Sequence, residues 1–488
     1  MSSIYRAVAF SAIERYGSMA IFVAYAAALS RLLRPEEFGL YALVASCVTI
    51  ISAPFQEIGG ANYLIQKRSL SEGDIRTAFT ITACFSLAVG AATVGLRDVF
   101  AQAFAHPALG PAVAVASLNF ILTPFSTTLS ALFRRELEFR TLAFCSLIGT
   151  AVVAAVSVGL ALLGFSFMAP IWGMLAGNVV TVLLMMAVRR NFRQYLPSVS
   201  GYGEVIGFGA YSSAISGLNV FCNLAPQIFL GRNLGFAAVG LYNRALNTAQ
   251  VFDKVVVQVV SPVVMPAFVR AGAGKSLKVL YLEAIEILTA VQWPFLIWVA
   301  VLAPAIIEIW LGAAWLDVVP LVRILCVAHL ALFGACLTYP VLVATGNVRD
   351  SLVSSLISLP PSLALSFAAS LVSAQALAAS ALISLPFQVA IAMHFVGKRL
   401  GIGRNEFCRA VMKSALVSLS TAIGVVACDL LIEARLLPAL PGIALSILLG
   451  AVGWWIGMVL NRHPLLARLE IVSRDLPFHV PRRLFQLS

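Results

Sequence analysis

Charge is scarce in this chain. Only 11% of its 488 residues are Asp, Glu, Lys or Arg, whereas a soluble domain carries about a quarter because its surface must face water. That scarcity excludes an ordinary globular protein. Catalytic signatures are missing too: there is no Walker A loop to cradle phosphates and no G-x-S-x-G nucleophile turn. The five histidines, at 106, 329, 394, 463 and 479, have no metal-ligand spacing, and the eight cysteines include no C-x-x-C pair. No segment between apolar runs is long enough to fold as a domain, so an active site on a large outer loop has no place. The sequence therefore predicts no catalytic residue, no metal, no cofactor and no enzyme. Without an ATP engine, any movement of substrate must draw on an ion gradient, the membrane potential or the substrate gradient.

What is abundant is hydrocarbon. Hydrophobic residues make up 60% of the chain and gather into runs near the roughly 20 residues that a helix needs to cross a bilayer. The first seven spans are expected near 10–29, 38–58, 77–96, 110–130, 141–163, 167–187 and 205–230. Seven more follow near 239–262, 280–307, 319–343, 351–371, 377–396, 411–432 and 441–460. Glu14 and Arg15 interrupt the first run, which reads as a retained helix rather than a cleaved leader. The fold class is all-α integral membrane, with about fourteen transmembrane helices.

A net charge of +12 could suggest nucleic acid, but the cations sit between apolar runs instead of on a soluble face. Membrane topology accounts for them. Arg134, Arg135 and Arg140, then Arg189, Arg190 and Arg193, then Lys398, Arg399 and Arg404 fall in alternate connections, as basic loops retained on the cytoplasmic side do. Both termini are expected in the cytoplasm. The tail from 461 to 488 alternates basic and apolar residues, with Leu465, Leu469 and Val472 on one helical face; lying on the inner membrane surface or standing in solvent are both open to it.

The sequence also repeats. At an offset of 201, Leu29, Arg31, Leu33, Gly39, Leu40 and Tyr41 recur as Leu230, Arg232, Leu234, Gly240, Leu241 and Tyr242, each set linking the first two spans of its half. The organisation expected is a lobe of six helices over 1–200, a second over 201–405, two added spans over 406–460 and the basic tail over 461–488. Six being even, the lobes form a parallel repeat, the arrangement that lets transporter halves rock about a central site.

Polar residues inside spans are expensive and mark cavities or partners. In the eighth span Asn243, Asn247, Gln250, Lys254 and Gln258 fall on one helical stripe, flanked by Arg244 and Asp253. Weaker stripes are Ser11, Arg15, Ser18 and Tyr25 in the first span and Tyr41, Thr49, Ser52 and Gln56 in the second. The candidate substrate-binding residues are Arg15, Arg244, Lys254, Arg323, Asn247 and Gln250, with Glu14 and Asp253 pairing with them or tuning them. Guanidinium and ammonium groups in a cleft suit an anionic or phosphate-bearing substrate. The alternative, that these groups satisfy one another between helices, as Glu14 with Arg244 or Asp253 with Arg323, stays open.

The stretches LSRLLRPEEFGLYAL (29–43), GGANYLIQK (59–67) and LGRNLGFAAVGLYNR (230–244) resemble bacterial oligosaccharide flippases of polysaccharide biosynthesis, within the multidrug/oligosaccharidyl-lipid/polysaccharide exporter superfamily. The resemblance runs through about the first 270 residues. It implies an inner-membrane, multi-pass exporter that carries undecaprenyl-diphosphate-linked oligosaccharide repeat units across the membrane by alternating access, for exopolysaccharide, capsule or lipopolysaccharide synthesis. The partners it implies are that lipid-linked substrate, membrane lipids, and polysaccharide polymerase and export proteins, with no nucleic acid. Arg244 matches the basic residue that follows the family's Gly-Leu-Tyr motif. Pro226 stands about where members often carry an acidic residue, which puts an ion-coupling role there in doubt. Rival readings are a cation-coupled multidrug antiporter, which would favour acidic sites, and an integral membrane polymerase, which would want a sizeable outer loop.

Overall fold

The computed structural model describes residues 2–58, 61–67, 69–257, 268, 270, 275–466 and 468. Gln258, the tail beyond 468 and the side chains of Ser11 and Gln56 lie outside the described residues. Every regular element among the described residues is helical, and eleven helices are long and apolar enough to cross a membrane. The chain is an all-α, multi-pass membrane protein. It divides into two compact units, Met1–Asn243 and Arg244–Ser488.

The first unit opens with α1 (Ser2–Leu32) and α2 (Pro35–Ile58), followed by the short α3 (Ala61–Gln66) and by α4 (Glu72–Gly95). Then come α5 (Arg97–Ala103), α6 (Leu109–Ser117), α7 (Asn119–Arg135), α8 (Phe139–Leu162), α9 (Met168–Val188), α10 (Tyr202–Asn233) and the start of α11 (Phe236–Ala249). The repeat is written into these boundaries. One helix ends at Leu32 and the next begins at Pro35, and 201 residues later one ends at Asn233 and the next begins at Phe236.

The repeated glycines are the point where α2 meets α11. A Cβ on Gly39 would overlap the carbonyl oxygen of Phe236, and a Cβ on Gly240 would overlap that of Pro35; Gly39 and Gly240 also approach each other's backbone nitrogens. Backbone meets backbone there, which only glycine permits. Small residues likewise seat α9 on α8. Gly173 and Gly177, a G-x-x-x-G pair, face Ser157 and Val153, while Gly149 faces Thr181. In hydrocarbon, helices associate by such close packing because burying apolar surface gains nothing over lipid.

Polar ends fix the spans. Ser71 caps α4: its hydroxyl accepts from the Asp74 N–H at 3.1 Å, and the Asp74 carboxylate accepts from the Ser71 N–H at 2.9 Å. Lys67 closes on the same carboxylate at 2.9 Å. Arg135, at the end of α7, donates to the carbonyls of Leu64 and Lys67, each at 2.7 Å, and so covers the carbonyl end of α3. The connection between α9 and α10 is held on α4, where Arg76 donates to the carbonyls of Leu196 (3.2 Å) and Pro197 (3.0 Å).

In the second unit α11 runs into a π-helical turn, Asp253–Val257. Beyond it lie α12 (Lys275–Val301), α13 (Ala303–Trp310), α14 (Val319–Leu330), α15 (Ala335–Ala344), α16 (Val348–Ser370), α17 (Ala374–Leu400), α18 (Arg404–Glu433) and α19 (Ala439–Leu460). A short 3-10 turn over Ala313–Val318 leads into the stretch expected as one span near 319–343, and a second over Ala331–Gly334 interrupts it. Gly453 and Gly457 on α19 pack against Ser420 and Val417 of α18.

A polar knot joins α12, α18 and the end of α19. The Leu465 N–H donates to His463 Nδ1 at 3.2 Å, which leaves the imidazole proton on Nε2, facing Ser414 Oγ at 3.2 Å. Ser414 in turn donates to the Glu286 carbonyl at 3.1 Å. Burial first, and then the charge of nearby Lys413, push the His463 pKa down to about 4, so the ring is neutral near pH 7.

Candidate functional site

The polar face expected in the eighth span is real in part and divided in use. Asn247 and Lys254, seven residues apart, are brought together: Lys254 Nζ donates to Asn247 Oδ1 at 2.6 Å. The contact spans from α11 to the π turn that carries both Asp253 and Lys254. A π turn inserts one residue into the α register and is frequent at functional sites. Gln250, in the turn between them, is half-buried and donates its backbone N–H to Leu246 O at 3.0 Å. Cation, carboxylate and two amides are thus concentrated within about two helical turns.

Asn243 serves a different partner. Its amide donates to Gln227 Oε1 at 3.0 Å, and the Ser46 hydroxyl donates to the same oxygen at 2.8 Å. Gln227, 2% exposed on α10 beside Pro226, is a buried acceptor shared by α2 and α11. The signal for it was a lone Gln in an apolar run. Gln292 on α12 carries the same signal: it is 2% exposed, and its Oε1 has no hydrogen-bond partner among the described residues.

The remaining cations lie elsewhere. Arg244 is buried, with its guanidinium 5.5 Å from the centre of the Trp315 ring, a cation–π distance. It stands ten residues before Lys254, about 15 Å along a helix. Arg323, on α14, is exposed and donates to the carbonyls of Ala300 (3.2 Å) and Val301 (3.5 Å) at the end of α12, where a cation also suits the helix dipole. Arg15 and Glu14 are half-buried on α1 in the first unit. The second unit therefore holds its three candidate cations at separate points along the chain, with Lys254 paired to Asn247 of the stripe.

Beside the π turn lies a cavity of about 230 Å³ walled by Phe252, Val256, Leu288, Val291, Cys336 and Pro340, with Lys254 not among its lining residues. Sequence alone gave no sign of it, because its walls are ordinary apolar residues from three distant helices.

A family model described as polysaccharide biosynthesis protein matches residues 28–320. The chain is 27% identical over 314 residues to the lipopolysaccharide biosynthesis protein WzxC of Escherichia coli K12, the match covering 62% of each chain. It is 26% identical over 274 residues to the succinoglycan biosynthesis transport protein ExoT of Rhizobium meliloti 1021, covering 54% of each. The matched part thus spans less than two thirds of the length of these curated relatives. Among solved structures, the lipid II flippase MurJ superposes with a TM-score of 0.73 at 11% identity, over 96% of this chain and 99% of that one. A multidrug resistance MATE family transporter superposes with a TM-score of 0.63 at 15% identity, over 80% and 98%. At such identities these two likenesses establish a shared fold.

Proposed function

Since this chain belongs to the polysaccharide biosynthesis protein family, we propose that it is a flippase that moves undecaprenyl-diphosphate-linked oligosaccharide repeat units across the bacterial inner membrane. The observation that carries the reading is the Lys254–Asn247 pair on a π turn, with Asp253 and Gln250 beside it. A cation inside a span is costly to insert, and Lys254 can give a phosphate a point charge while the amides hold sugar hydroxyls. Arg244, Arg15 and Arg323 are assigned as further contacts of the anionic headgroup along its path, and Glu14 and Asp253 as groups that tune them. The names of the relatives support this reading, being those of lipopolysaccharide and succinoglycan biosynthesis proteins and a lipid II flippase. No step calls for catalysis.

Alternating access would move the lobes 1–200 and 201–405 about this path, with both termini in the cytoplasm. Polysaccharide polymerase and export proteins would take the product on the far side. The multidrug antiporter reading is favoured only by the shared MATE fold. Deleting the gene should leave complete lipid-linked repeat units on the inner leaflet and abolish surface polysaccharide, both reversed by the intact protein. Normal polysaccharide together with raised sensitivity to cationic drugs would overturn the flippase and select the antiporter.

A further inference from the structure

We propose that the cavity enclosed by the π turn, α12 and α15 is a binding site for one acyl chain of a bilayer lipid. Among the described residues the lining offers almost nothing to a polar ligand. Phe252, Val257, Leu288, Val291 and Pro340 are apolar, and Cys336 is a small, weakly polar thiol. At about 230 Å³ the space exceeds the roughly 150 Å³ of an apolar cavity that stays dry and takes benzene. The matching occupant is flexible hydrocarbon larger than a single ring.

Position favours the same occupant. Val291, on the wall, is 37% exposed and lies near the middle of the span Ser276–Val301. A bilayer at that depth consists of hydrocarbon tails, not headgroups. The walls are also shaped to stay apart. Pro340 has no N–H for the Cys336 carbonyl four residues earlier, which loosens α15 where both residues line the space. Opposite, the π turn, which starts just after Phe252, carries Val256 and Val257 out of α register. Two helix irregularities facing one cavity make it a built feature.

This site does not include Lys254, which donates to Asn247 and is not among the cavity's lining residues. It stands whether or not the protein moves lipid-linked sugar. Since one π turn supplies both the cavity wall and Lys254, a bound chain would fix the turn that presents the cation.

The test uses the full chain in phosphatidylethanolamine–phosphatidylglycerol vesicles whose phosphatidylglycerol carries a diazirine on an acyl chain, with adducts mapped by mass spectrometry after illumination. Adducts are expected on Leu288, Val291 and Cys336. Ala284→Phe, which fills the space from α12, should lower them about tenfold, the loss that follows from displacing two methylenes. Leu288→Ala, which enlarges it, should raise labelling at Cys336, and this variant decides the matter if Ala284→Phe fails to fold. Lining residues left unlabelled, or labelling that neither variant changes, would overturn the proposal. So would labelling only by a diazirine-bearing polyprenyl phosphate, which would make the occupant a carrier lipid.

Discussion

Replacing Gly39 with Ala tests the packing argument most sharply. The added methyl would fall 2.6 Å from the Phe236 carbonyl carbon and 3.0 Å from the Gly240 nitrogen, and it would overlap the Phe236 oxygen. Ordinary contact needs about 3.5 Å, and both neighbours are backbone, so α2 and α11 must separate along their whole crossing. Overpacking a core costs about 1–3 kcal/mol; with no flexible side chain to yield, the upper end applies. For a unit of this size, about 3 kcal/mol corresponds to a fall of roughly 6–12 °C in Tm. Gly240→Ala should do the same, since its methyl would meet the Pro35 carbonyl. The double variant should lose less than the sum, because both act on one contact. Gly159→Ala on α8 is the control: nothing lies within 4 Å of its Cβ, and Ala is a better helix former by about 1 kcal/mol. Thermal unfolding in one detergent, read by tryptophan fluorescence, compares all four. A Gly39→Ala protein as stable as Gly159→Ala would refute the backbone contact.

Lys254→Ala should abolish polysaccharide export while leaving the amount of folded protein in the membrane unchanged, and Asn247→Ala should weaken export less; normal export from Lys254→Ala would remove it from the substrate path. His463 should make stability depend on pH. Its folded pKa of about 4 lies below the ordinary 6.5, so the unfolded chain binds the extra proton first. Its contribution is then full above about pH 6.5 and is lost progressively as pH falls towards 4, by up to about 3 kcal/mol. His463→Gln should flatten the fall in Tm between pH 7 and pH 5 relative to the parent, and parallel curves would count against the neutral-imidazole knot. Arg135→Ala leaves the carbonyls of Leu64 and Lys67 without their charged donor, a loss of about 1–3 kcal/mol. It should speed proteolysis between 61 and 70 selectively, and an unchanged cleavage pattern would argue against the capping role.

Among the described residues, hydropathy located eleven of the fourteen expected spans, because hydrocarbon thickness imposes a length that the sequence must honour. The ends were less legible, since helices continue past the apolar run into polar caps: α18 starts at Arg404, several residues before the expected 411. Interruptions within apolar runs left no compositional trace, as at Leu118 between α6 and α7 or in the turn Ala331–Gly334. The short helices α3 and α5 lie in stretches too polar or too brief for a span, whereas α13 begins inside the expected span 280–307, which the structure ends at Val301. In the candidate site, spacing of seven was enough to join Asn247 to Lys254. It could not tell that Asn243 would turn to Gln227 or Arg323 to the carbonyls of Ala300 and Val301, because those partners are brought near only by tertiary packing. The π turn was hidden for the opposite reason, being an irregularity in a segment whose α pattern looked continuous.

The reciprocity of the Gly39 and Gly240 contacts carries a consequence for ancestry. Each glycine sits on the carbonyl that opens the other's helix, so exchanging the two copies of the motif leaves the contact unchanged. That is the geometry of an isologous dimer interface. A half-length chain bearing a single motif could make the same contact with a second molecule of itself, and within one chain the two copies of the motif cannot drift independently at this point.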